Sequence, residues 1–110
     1  MIGSFSDKAL KRLYERGDRS GIRPDMAGKV ERILQRLDEI SAPEQMGLPG
    51  YRLHPLSGDL KGFWSVTVNG NWRVIFRFED GQVRDVRLID YHWDYRHAHA
   101  QPSTPRSLRS

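Results

Sequence analysis

Residues 51–92 read YRLHPLSGDLKGFWSVTVNGNWRVIFRFEDGQVRDVRLIDYH, and the fold turns on this stretch. Segments 63–68, 72–78 and 83–90 are rich in aromatic and β-branched residues, the side chains that suit a pleated, half-buried surface. Asn69, Gly70 and Asn71 separate the first two segments, and Glu79, Asp80, Gly81 and Gln82 separate the last two. Both are hairpin signals. Strict alternation puts Trp64, Val66, Val68, Trp72, Val74, Phe76, Phe78, Val86 and Leu88 on one face, which needs a cover. The opposite face carries Ser65, Thr67, Arg73, Arg77, Asp85 and Arg87, with Ile75 and the end residue Ile89 as its large apolar members. It is expected to be wet, basic and available.

Two polar segments meet the ends of this sheet, and each brings a histidine: residues 51–56 contain His54, and the last strand ends in Asp90, Tyr91 and His92. Pro55 pushes His54 out of the helical region and has no N–H for a central ladder. His54 is therefore expected near an edge or end of the sheet.

The blocks LHPLSGDLKGFWSV, VNGNWRVIF and DYH, in this order and spacing, resemble the HigB branch of the RelE superfamily, the toxins of bacterial type II toxin–antitoxin systems. The resemblance spans residues 1–92. It implies an α+β domain in which two N-terminal helices pack on an antiparallel-rich sheet. It also implies an endoribonuclease that needs no cofactor or metal and cuts mRNA in the ribosomal A site, held in check by a helix-turn-helix, HigA-like antitoxin. His54, Asp90, Tyr91 and His92 match the family's active-site set, and Arg73 matches its phosphate-binding arginine. Ser57 stands where many relatives carry lysine, so Arg52 or Lys61 is a candidate substitute for that contact.

Outward from this stretch, 110 residues with net charge +4 make one small domain with room for one core. There is no cysteine, which excludes a disulfide framework, a cysteine zinc site and a thiol nucleophile. No apolar run approaches the roughly 20 residues that span a bilayer, and residues 1–13 lack a signal-peptide core. A cytoplasmic protein with no membrane partner is expected. Residues 1–5 read as an edge strand. Ser6 is placed to cap a first helix with Leu10, Leu13 and Tyr14 on one face, and Gly17 to end it. Pro24 suits the first turn of a second helix, whose Met26, Val30, Ile33, Leu34, Leu37 and Ile40 form a stripe that can cover the sheet. Residues 44–50 read as a loop. After His92 the composition changes abruptly, with no periodicity from Ala98 onward and a Pro, Ser and Arg end, which reads as a largely disordered extension over 93–110 beyond a 1–92 toxin domain.

RNA supplies its own nucleophile, the 2′-hydroxyl, so the protein has only to orient it, move two protons and stabilise phosphate charge. Histidine suits proton transfer, because its unperturbed pKa of about 6.5 leaves both forms present near neutrality. His54 and His92 are the candidate acid and base, in either order. Arg73 offers a planar fork to phosphate oxygens, Tyr91 a hydroxyl and a stacking ring, and Asp90 a group to orient a neighbour. Arg52, Lys61, Arg77 and Arg87 are candidate RNA phosphate contacts. His92, Asp94, His97 and His99 could be written as a metal cluster, but the spacing lacks a helix to hold ligands and reads as an exposed polar tail. The alternative of another class is a non-catalytic RNA-binding or antitoxin-binding module that keeps the fold.

Overall fold

Both hairpin turns form where the turn residues stand. In the computed structural model, which describes residues 1–90, the chain runs α1 (Lys8–Arg16), α2 (Pro24–Leu37), β1 (His54–Pro55), β2 (Trp64–Asn69), β3 (Trp72–Glu79) and β4 (Gln82–Asp90). Short 3-10 turns occupy Pro43–Met46 and Gly58–Leu60. The four strands form one antiparallel sheet in the order β1-β2-β3-β4, which leaves β1 at an edge. Asp80 and Gly81 join β3 to β4 with φ of +54° and +76°. Two consecutive positive φ values give a turn whose twist matches that of the strands it joins.

α2 lies over the sheet as the apolar stripe requires. Met26, Val30, Ile33, Leu34 and Leu37 are buried against Val66, Val74 and Phe76, and Trp64 and Trp72 pack at the margin of the same core. α1 adds Leu10 and Leu13 to this core.

The N-terminal segment departs from the expected edge strand. It makes two isolated parallel bridges to β4, Ile2 with Val83 and Phe5 with Val86. The cap also moves. Ser6 donates its N–H to the Val86 carbonyl at 3.1 Å, so the helix starts one residue later with Asp7 as its cap. Asp7 Oδ1 accepts from Ala9 and Leu10 N–H at 3.0 and 3.2 Å, and Oδ2 accepts from Leu88 N–H at 3.2 Å. A serine hydroxyl could cap α1, but only a carboxylate has a second oxygen with which to fasten it to β4. Gly17, at φ +68°, ends α1 as its position in the sequence suggests.

The face away from the helices is not simply wet. Leu56, Phe63, Ile75 and Ile89 are buried there as a second, smaller apolar cluster. β4 also breaks alternation: Ile75 pairs with Arg87 and Arg77 with Arg84, so Asp85 and Val86 together oppose Phe76. Asp85 sits at φ +55° in this bulge. The extra residue resets the parity, which lets Val83 and Val86 both face the helices.

Asp38, just past α2, ties the N-terminus down. Its Oδ1 accepts from Tyr14 Oη at 2.7 Å and from Ile2 N–H at 3.2 Å. The Tyr14 hydrogen bond holds the Asp38 carboxyl below its usual value, and the same bond, aided by burial, pushes Tyr14 up to about 12. A depressed carboxylate contributes stability that is present above its unfolded pKa of about 3.9 and is lost as pH falls through the folded value. Tyr14→Phe should therefore cost about 1 kcal/mol at neutral pH, the net worth of one hydrogen bond. That cost should fade toward the acid end, where Asp38 is protonated. Urea unfolding of both proteins across this range checks it, and a penalty independent of pH would contradict it.

Candidate active site

Cross-strand register assembles the site. Thr67, Arg73 and Ile89 form one row across β2, β3 and β4. His54, Ser65, Ile75 and Arg87 form the neighbouring row across all four strands. Both rows lie on the face turned away from α1 and α2, above the small cluster of Leu56, Phe63, Ile75 and Ile89.

His54 stands on the edge strand β1, one of the two placements Pro55 allowed. Its Nδ1 lies 2.9 Å from the Arg52 carbonyl oxygen. A carbonyl can only accept, so Nδ1 carries the proton and the neutral ring has its lone pair on Nε2. Arg52 achieves this with φ of +50°, a left-handed backbone that is uncommon for a residue with a side chain. The neighbouring Tyr51 carbonyl is pinned by Thr67 N–H at 2.7 Å. Arg52 thus acts on His54 through its backbone, while its side chain is exposed. Nothing in the sequence signals a non-glycine residue at positive φ here.

Arg73 is half-buried on β3, and its Nη1 donates to Thr67 Oγ1 at 2.5 Å. Held against β2, the guanidinium is aimed before any substrate arrives. Arg77 and Arg87 share the face, but they are not equivalent. Arg77 Nε is 3.6 Å from Asp85, and Nη1 is 4.0 Å from Glu79. Lys61 is exposed just after the Gly58–Leu60 turn, and Ser57 is exposed just before it.

Asp90 is not brought onto this face. It pairs with Trp72, one step out of phase with the row of Arg73 and Ile89, and lies exposed at the end of β4. Tyr91 and His92, with the 93–110 extension and the His97 and His99 set, lie outside the described residues. Among the described residues, no three His, Cys, Asp or Glu side chains cluster.

A family model for the RelE-like toxin of the type II toxin–antitoxin system HigB matches residues 3–92. The chain belongs to the HigB-like toxin family. It is 39% identical over 92 residues to Endoribonuclease HigB of Proteus vulgaris, covering 84% of this chain and 100% of that protein. It is 37% identical over 90 residues to Toxin HigB-1 of Vibrio cholerae, covering 80% and 95% of the two chains. Among solved structures, YafQ from E. coli superposes with a TM-score of 0.52 at 22% identity, over 80% of this chain and 91% of YafQ. A chain of the YoeB–YefM complex from Staphylococcus aureus does so with 0.50 at 16% identity, over 79% of this chain and 95% of that one. These two likenesses concern the fold. The sheet of this HigB-family chain has the helices on one side and the rows of His54 and Arg73 on the other.

Proposed function

We propose that this HigB-family toxin is an endoribonuclease that cleaves mRNA in the A site of translating ribosomes and so inhibits translation and growth. The observation that carries the reading is the placement of His54 and Arg73 in adjacent rows of one sheet face, with His54 Nδ1 bound to the Arg52 carbonyl. The name of the Proteus vulgaris relative supports the activity.

In the proposed reaction, one histidine of the pair His54 and His92 removes the 2′-hydroxyl proton, and the 2′-oxygen attacks the adjacent phosphorus. The bond from phosphorus to the 5′-oxygen breaks, and the other histidine protonates that leaving oxygen. The products are a 2′,3′-cyclic phosphate and a free 5′-hydroxyl. Arg73 stabilises the charge that gathers on the phosphoryl oxygens, where a preorganised donor contributes most. Tyr91 orients the substrate, and Arg52, Lys61 and Arg87 contact phosphates; Asp90, which pairs with Trp72 and stands off this face, is left out. Arg77, paired with Asp85, is left out of this set. Residues 1–92 carry the toxin domain, and the partner is a helix-turn-helix, HigA-like antitoxin in the cytoplasm. No helix among the described residues is long and apolar enough to cross a membrane.

Induction in cells lacking the antitoxin should arrest growth, and His54→Ala and His92→Ala should each relieve the arrest at matched soluble protein. Arrest that survives both substitutions would mean that the chain acts by binding alone.

A further inference from the structure

Phe63 ends the irregular segment before β2, and two guanidinium groups lie over its ring. The central carbon of Arg77 is 4.3 Å from the ring centroid and that of Arg87 is 6.0 Å away. Gly62 makes the closer stack possible. It sits at φ +97°, and a Cβ there would come within 2.6 Å of Arg77 Nη1, so a side chain at this position would push the guanidinium from its place over the neighbouring ring.

The two arginines have different surroundings. Arg77 is flanked by Asp85 and Glu79, so its charge is offset and a phosphate approaching it would meet two carboxylates. Arg87 makes no ion pair with the described residues, and its Nε is buried without a hydrogen-bond partner among them. A guanidinium cannot lose its proton and has only donors to offer. Set beside a ring face at 6.0 Å, it keeps its N–H edge available for an oxyanion. Arg87 shares the row of His54 and is one strand and one two-residue step from Arg73, roughly 8 Å between Cα atoms at ordinary sheet spacings. Ile75 and Leu56 form an apolar floor beside it, which strengthens an ionic hydrogen bond.

We infer that Phe63 is a positioning residue that divides the work of these arginines: Arg77 braces the ring from one side, and Arg87 is held by it to bind an RNA phosphate next to the one at Arg73. The assignment rests on the endoribonuclease reading. It favours RNA over an acidic antitoxin segment because Arg87 stands on the site face one strand and one two-residue step from Arg73.

Each phosphate contact adds a defined salt dependence, about 0.7 in the slope of log affinity against log salt for a single strand. The test measures binding to ribosomes programmed with mRNA that carries a 2′-deoxy sugar at the cut position. Arg87→Ala should reduce the slope by about 0.7 and raise KM on cleavable mRNA with little change in kcat. Arg77→Met, which keeps the packing and removes the charge, should leave the slope as it is. Phe63→Leu should reproduce the Arg87→Ala slope and add nothing in an Arg87→Ala background, whereas Phe63→Tyr should restore it. Ribosomes whose mRNA stops before the A site separate the two sources of phosphate: the Arg87→Ala effect persists there for ribosomal RNA and vanishes for mRNA. An equal loss of slope in Arg77→Met, or an unchanged slope in Phe63→Leu, overturns the assignment while the endoribonuclease reading stands. An Arg87→Ala protein that loses antitoxin affinity but keeps its RNA slope also overturns it. Wild-type protein that binds no programmed ribosome removes both.

Discussion

Arg73→Ala is expected to lower the rate of mRNA cleavage about 10²–10³-fold, the effect of removing one donor aimed at developing oxyanion charge, equivalent to about 2.7–4 kcal/mol. The side chain is suited to that role because it is half-buried and bonded to Thr67 Oγ1, so little ordering remains when phosphate binds. The fold should survive. Arg73 lies opposite the helices, and losing its bond to Thr67 should cost about 1 kcal/mol, a fall of several degrees in Tm for a domain of this size. Arg73→Lys should recover only part of the rate, because an ammonium keeps the charge without the planar fork. Single-turnover cleavage on programmed ribosomes, with a thermal melt of each variant, checks both halves. A melt far below that of the wild type, with cleavage lost in proportion to the unfolded fraction, would make Arg73 a structural residue.

What the sequence disclosed follows from where local chemistry decides the outcome. Asn-Gly and Asp-Gly turns between β-rich segments determine β2, β3 and β4 with little help from the rest of the chain, and the α2 stripe from Met26 to Leu37 has one apolar face to bury. Pro55 pointed His54 to an edge or end of the sheet, and it stands on the edge strand β1. The site face was legible only in part. Parity put Arg73, Arg77 and Arg87 together, but it could not show that Leu56 and Leu60, from non-periodic segments, fold back with Phe63 to make that face partly apolar. Nor could parity foresee the Asp85 bulge, which turns Val83 inward. Asp7 displaced Ser6 as the cap because Ser6 is held by Val86 on β4, a tertiary contact that cap propensity ignores. The proton on His54 Nδ1 depends on the left-handed backbone at Arg52, which no residue preference announces.

The account turns on the identity of the nucleophile, and one substitution in the substrate addresses it. If the 2′-hydroxyl attacks, then a ribosome-bound mRNA with a 2′-deoxy sugar at the A-site cut position has nothing to deprotonate. Cleavage there should fall to background, and no rearrangement of His54, Arg73 or His92 could restore it. The chemistry of the ends reports the same step independently. Attack by the 2′-oxygen retains phosphate on the upstream fragment and frees a 5′-hydroxyl on the downstream one, whereas attack by activated water can leave a 5′-phosphate. The measurement is cleavage of the all-ribose and single-deoxy mRNAs side by side on intact ribosomes, with analysis of the fragment ends. The account predicts a 5′-hydroxyl on the downstream fragment of the first and an uncut second. Continued cutting at the deoxy position, or a 5′-phosphate on the downstream fragment, would contradict it.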